Sequence, residues 1–193
     1  MKCWRAAWLL YLALPLQAQP LAYPLDDAHS WVHFEVLHFN TSTARGRFGP
    51  VRGQVVLDAA AQRGELSLRI ATASLDTGLR VFDARLREAD LLASAEHPEA
   101  YFVASRFRFQ GQRLLEVRGE FTLRGISQPL SLHVLRYGCR PVSATADAAA
   151  GEVCGGDFEA EFKRSDFGAT FGLPWIADRV RLVIQVEGRS TFR

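Results

Sequence analysis

From Ser30 almost to the C-terminus, apolar and polar residues alternate with a period of two. Val32, Phe34 and Val36 share one face of a first segment, with His33 and Glu35 on the other. Leu66, Leu68 and Ile70 alternate with Glu65, Ser67 and Arg69, and Phe107 and Phe109 with Arg106 and Arg108. After Gly111 come Leu115, Val117, Gly119, Phe121 and Leu123 on one face, against Glu116, Arg118 and Glu120. Leu130, Leu132 and Val134 follow, then Phe158, Ala160 and Phe162, then Val180, Leu182, Ile184 and Val186. A stretch around Gly53–Asp58 alternates less clearly. Two is the period of a strand, because successive side chains point to opposite faces of a sheet. The pattern predicts about eight strands, each with one dry and one wet face. Such a sheet covers its dry face by closing on itself or by pairing with a second sheet.

One segment breaks the period. Leu79, Phe82, Leu86 and then Leu91-Leu92 are spaced as on a helix, after Asp76-Thr77-Gly78 and before Pro98. Asp76 or Thr77 would cap its start and Pro98 would end it. A helix placed between strands is expected to plug or cover one mouth of a barrel. Alternation does not say which face is inside, and an outer-membrane barrel would turn its apolar face to lipid. The clean runs here are about seven to nine residues, whereas a membrane strand needs about 9–11. Aromatic girdles are not evident either. The fold expected is all-β with one helical insertion: an eight-stranded antiparallel barrel around an apolar lumen.

The first residues have a different logic. Lys2 and Arg5 precede an uncharged apolar run, Ala6–Leu16, and small residues follow at Ala18. This is the order of a secretory signal peptide; the run is too short for a spanning helix, which takes about 20 residues. The expectation is a signal peptide over 1–18 and one domain over 19–193, with a cut after Ala22 as the alternative. No later stretch is apolar enough to span a membrane. The whole chain of 193 residues carries 23 basic and 21 acidic side chains, a net charge of +2. That balance excludes a nucleic-acid partner recognised by bulk charge. Removing Lys2, Arg5 and Cys3 with residues 1–18 leaves 21 basic residues against 21 acidic ones, and two cysteines. In an exported protein the remaining pair, Cys139 and Cys154, reads as a disulfide around an Ala-rich excursion, Arg140–Val153. Closing such a loop is worth about 3 kcal/mol. Two unpaired thiols are the alternative. A formally neutral surface offers little protection against self-association, which leaves a homodimer open.

Catalytic motifs are scarce. The chain has no Gly-x-Ser-x-Gly elbow and no Gly-x-Gly-x-x-Gly loop. His29 and His33 share a strand face, but four strand steps hold them about 13 Å apart. His38 falls on the opposite face, so the three do not converge as zinc ligands must. No metal is expected, and His38 reads as a polar group at a barrel mouth. Arg164 shares the inward face of Phe162. A cation there needs a partner or a ligand's polar head; a salt bridge with Asp166, Asp83 or Asp178 is the favoured reading. Phe34, Phe107, Phe109, Phe121, Phe158 and Phe162 all face inward in this scheme. An eight-stranded barrel is just wide enough to fill itself or to hold one small ligand, and periodicity leaves both open.

A series of short motifs, in order, resembles the YceI-like family of periplasmic, lipocalin-like proteins associated with polyisoprenoid binding. It runs through Tyr23-Pro-Leu-Asp-Asp-Ala-His-Ser30, Val32–His38, Gly46-Arg-Phe48 and Ala73-Ser-Leu-Asp-Thr-Gly78. Asp83-Ala-Arg-Leu-Arg87, Val117-Arg-Gly-Glu-Phe-Thr-Leu-Arg-Gly-Ile126, Arg164-Ser-Asp-Phe-Gly168 and Asp178-Arg-Val-Arg-Leu182 complete it. The Cys139–Cys154 loop departs from the simplest family pattern. The resemblance implies a barrel around a hydrophobic pocket, a periplasmic location and no catalytic residues. In place of a cofactor it implies a bound isoprenoid-like lipid, such as a polyprenyl phosphate, a quinone tail or another amphiphile. The expected ligand-binding residues are Phe34, Val36, His38, Phe107, Phe109, Val117, Phe121, Leu132, Phe158, Phe162 and Arg164. Two rivals stay open. One is an accessory protein of a membrane electron-transport or stress-response system, with a filled core and an exposed apolar patch near Trp175 or the disulfide loop. The other is a lipid-modifying enzyme using His38 with a carboxylate.

Overall fold

A computed structural model of the protein describes residues 20–145 and 149–191. The signal-peptide expectation and the cut after Ala18 lie outside the described residues. The described chain forms one antiparallel sheet of ten strands, with a single α-helix covering one end. They are β1 (Leu21–Pro24), β2 (Trp31–His38), β3 (Ser42–Phe48), β4 (Arg52–Asp58) and β5 (Arg63–Ala71), then, after the short helix α1 (Arg80–Leu86), β6 (Glu99–Gln110), β7 (Arg113–Leu123), β8 (Ile126–Val142), β9 (Gly151–Lys163) and β10 (Ile176–Thr191). The spatial order is β1-β4-β5-β6-β7-β8-β9-β10-β2-β3.

Eight of the ten strands are those the alternation predicts. The two additional ones, β1 and β3, are correctly placed only by their neighbours. β1 is four residues long and contains Pro24, too short to show a period. β3 turns Ala44 and Gly46 toward Val36 and Phe34. A Cβ on Gly46 would fall 2.5 Å from Phe34 Cε1, so the Phe34 ring takes the space that an apolar side chain on β3 would occupy. That strand is therefore nearly silent in a hydrophobicity pattern.

The sheet curls around its dry face, and its edges do not pair with each other. Two patches close the seam. Leu25 bridges Gly188 on β10, and the Asp26 N–H donates to Glu187 O at 2.8 Å. At the other end Arg47 and Asp76 exchange main-chain hydrogen bonds of 2.9 and 3.0 Å. Two bulges, in β6 between Ala104 and Arg106 and in β8 between Val134 and Arg136, shift the inward phase of those strands. Hence Phe102 and Ala104 face in, but so do Phe107 and Tyr137. A bulge inserts one residue and bends the strand, which lets a long strand follow a barrel wall.

The strands β6–β10 run 11 to 17 residues, longer than the clean alternating runs suggested. Strand length therefore does not separate this barrel from a membrane barrel; the sides of the sheet do. The outer face carries a cross-strand chain of ions, with Glu35 accepting from Arg45 at 2.8 Å and from Arg181 at 3.0 Å, and Arg181 reaching Glu159 at 2.9 Å. The inner face carries Phe34, Leu132, Phe158, Ala160, Leu182 and Ile184, all buried in one cluster. No helix among the described residues is long and apolar enough to cross a membrane.

The helix is shorter than expected. α1 spans Arg80–Leu86, and turns carry the chain from there to Pro98. Neither Asp76 nor Thr77 caps it in the predicted way. Asp83, one turn into the helix, instead accepts from the N–H and the hydroxyl of Thr77 at 2.8 and 2.6 Å. The Cys139–Cys154 disulfide is formed, cross-linking directly paired residues of β8 and β9. β8 extends to Val142 and β9 starts at Gly151, so the excursion is shorter than Arg140–Val153.

Candidate functional site

The apolar inner face encloses two chambers. The wider, about 190 Å³, lies under α1 and the turns after it. Phe34, Val36, Phe121, Leu132 and Phe162 line it, with Leu86, Leu91 and Leu92 from the cover. The narrower, about 80 Å³, lies toward the disulfide. Phe107, Val117, Phe158, Tyr23, Tyr137 and Cys154 line that one. Leu68, Leu132 and Ile184 belong to both walls and form the waist between them. An apolar cavity of about 150 Å³ stays dry and takes a benzene-sized guest, so the wider chamber suits a hydrocarbon group of somewhat larger size.

Arg164 is the one charged side chain on either wall. It is 6% exposed and opens a 3₁₀ turn, Arg164–Phe167, that closes at Gly168 with φ of 75°. Its Nε donates to Ala177 O at 2.9 Å, Nη1 to Ala169 O and Phe171 O at 2.7 and 2.8 Å, and Nη2 to Ile176 O at 2.8 Å. The favoured reading, a salt bridge, is thus corrected. Asp178 accepts instead from the Ser165 N–H and hydroxyl at 2.9 and 2.7 Å. Burial pushes the Arg164 guanidinium below its ordinary pKa, and the nearby Asp178 charge works against that. The reason for the carbonyl cradle is local: the chain from Ala169 to Ala177 folds back over the barrel end and must satisfy its main-chain oxygens away from water.

At the narrow end the Tyr23 hydroxyl donates to Glu152 at 2.7 Å, and the Tyr137 hydroxyl lies 3.2 Å from the Cys139 sulfur. Burial, then the hydrogen bond to Glu152, pushes the Tyr23 hydroxyl well above its ordinary pKa. Burial does the same to Tyr137. Both tyrosines remain neutral donors that plug this end.

A family model described as the YceI-like domain matches residues 23–188. The chain belongs to the YceI-like family. A UPF0312 protein of Shewanella denitrificans is 30% identical over 180 residues, covering 92% of each chain. Protein YceI of Escherichia coli O157:H7 is 29% identical over 164 residues, 84% of this chain and 83% of that one. Among solved structures, Burkholderia cenocepacia BcnA superposes with a TM-score of 0.67 at 22% identity, covering 82% of this chain and 95% of that one. A domain described as a polyisoprenoid binding domain from Saccharophagus degradans, implicated in plant cell wall breakdown, gives 0.63 at 20% identity, over 88% and 99% of the two chains. At these identities the solved structures establish a shared barrel fold for this family member.

Of the eleven residues expected to touch a ligand, nine line a chamber and two do not. His38 is half-exposed, with its ring edge-on to Phe39, outside both chambers. It lies at the strand end, where β2 turns into β3. Phe109 packs against the core from the edge, beyond a further irregularity of β6 between Arg108 and Phe109. The cover residues Leu86, Leu91 and Leu92 were legible as an apolar set but not as chamber wall. Only the fold brings them over Phe34 and Phe162.

Proposed function

We propose that this protein is an exported carrier, located in the periplasm, that holds a lipid with a long isoprenoid-like tail in its lumen. The single observation that carries this reading is the pair of apolar chambers meeting at Leu68, Leu132 and Ile184. A filled barrel would leave no wall for a guest. The family membership and the polyisoprenoid binding domain among its structural relatives support the same class of ligand. Each buried methylene is worth about 0.8 kcal/mol, set against the freedom the tail loses. One segment of the tail would fill the wider chamber, with the waist leading on toward Tyr23. Arg164 uses four of its N–H groups on main-chain oxygens, so its principal role is to build the wall. The role is binding rather than catalysis: His38, the candidate acid–base group, stands outside the chambers. Export by cleavage after Ala18 would leave β1 whole, whereas a cut after Ala22 would pass through it.

The test is extraction of protein purified from its native compartment, followed by mass spectrometry, and loading of the emptied protein with polyprenols and quinones. A stoichiometric long-tailed lipid is expected. Repeated preparations with no lipid and no uptake would sink the carrier reading and favour the accessory protein.

A further inference from the structure

The cover over the wide chamber is apolar on both sides. α1 turns Leu86 inward to the chamber, yet Leu79 just before it and Val81 within it are 60% and 78% exposed. Its buried polar residue is Asp83, so the helix departs from the usual surface arrangement by also showing apolar residues to solvent. The neighbouring loop repeats this. Ala169 faces the chamber, while Phe171 and Trp175 point to solvent, Trp175 at 67% exposure. The two pieces are contiguous. Arg85 lies one turn beyond Val81 on the same helix face, with its guanidinium 4.2 Å from the Phe171 ring centroid.

The β2–β3 turn joins them, since the Phe39 N–H donates to Trp175 O at 2.8 Å. Phe39 is exposed and sits at φ of 50°, followed by Asn40 at 55°. A bulky aromatic in the left-handed region is a costly choice for a tip that Gly or Asn would fill. Strain of this kind collects at functional positions. Arg80, between Leu79 and Val81, is exposed and makes no ion pair with any described residue.

We infer that this rim — Phe39, Leu79, Val81, Phe171 and Trp175 with Arg80 — docks on the headgroup boundary of a phospholipid bilayer. A bilayer matches its chemistry: aliphatic and aromatic groups seat at the acyl boundary, Trp favours the interface, and Arg80 meets lipid phosphate. It also matches its position, because the rim is the outer surface of the segments whose inner surface is the chamber wall. The opposite pole is the sheet end that the disulfide cross-links, where Leu21 pairs with Leu57 and Thr191 with Gly151. The docking deepens the carrier reading and rests on it, by naming the face through which a tail passes.

The experiment is flotation of the purified protein with vesicles of phosphatidylethanolamine and phosphatidylglycerol in equal parts, read together with tryptophan emission. The protein is expected to float, and its emission to shift to shorter wavelength with quenching by nitroxide-labelled lipid. Trp175→Phe should abolish the quenching and Trp31→Phe should keep it. Val81→Asp and Phe171→Asp, both at exposed positions, should each weaken flotation about tenfold or more with unchanged thermal melting. Protein that stays out of the vesicle layer, or Asp variants that float like the parent, overturns the docking. So does a homodimer that Val81→Asp dissociates, because a second copy would then cover the rim. The two readings fail separately: protein that yields a lipid on extraction but does not float loses only the docking, and protein that floats but holds no lipid loses only the carrier.

Discussion

The helix end and the disulfide end close one lumen by different means. At the helix end, two arginines gather main-chain oxygens: Arg164 takes four, and Arg124 takes those of Phe167, Ala89 and Leu91. The cover they hold is built of turns, with few strand hydrogen bonds of its own. At the disulfide end the strands continue, and Cys139–Cys154 and Tyr23–Glu152 tie them together. A cover fixed by side-chain hydrogen bonds can part locally, while a cross-linked sheet end opens only with its ladder. On the carrier reading proposed above, the end expected to open is that of the wide chamber, with the narrow one as its fixed floor.

The largest effect should come from removing the guanidinium at the helix end. Arg164→Leu strands four oxygens and is expected to cost roughly 3–5 kcal/mol in urea unfolding, with lipid uptake lost. Equal uptake by this variant would break the contrast. Next is the disulfide end: Cys139→Ser with Cys154→Ser should cost about 3 kcal/mol, as expected for a 15-residue separation, and leave uptake intact. At the waist, Leu132→Trp overfills the wall and should cost about 1–3 kcal/mol. Mass spectrometry of its bound lipid should show shorter tails, since the narrow chamber becomes unreachable. Tyr23→Phe leaves Glu152 without its donor and should cost about 1 kcal/mol, again without loss of uptake.

The smallest effect belongs to neither end. Glu116 on the outer wall is held down to about 2, first by its hydrogen bond to Arg118 and also by Arg108, while burial opposes them. A carboxylate whose folded pKa is depressed lends stability above its unfolded pKa, and that stability fades as pH falls through the folded value. For Glu116 the window runs from its ordinary 4.5 down to about 2. Acid unfolding of Glu116→Gln should be flatter across that window than that of the parent, with both ends of the barrel behaving alike.

Much of the wall is legible in the order of residues. Phe34, Val36 and Val117, like Phe158 and Phe162, stand on faces that alternation alone marks as dry, and all five line a chamber. Phe109 and His38 show where that logic stops. Alternation fixes a face only while register holds, and near a bulge or a strand end it no longer says how deep a residue lies. Arg164 is legible as inward, but its partners are not. They are main-chain oxygens between Ala169 and Ala177, and a main-chain oxygen leaves no trace in residue identity.

By itself the sequence determined the strand period, the division of each strand into a dry and a wet face, the cysteine pair and the family, because each is carried by residue type at fixed spacing. Tertiary structure decided the rest: ten strands rather than eight, two chambers with a waist, and an apolar cover facing both ways. Those depend on which distant segments meet. Gly46 disappears beneath Phe34, Leu86 comes to lie over the wide chamber, and Phe39 reaches Trp175 only once β2 has paired with β10.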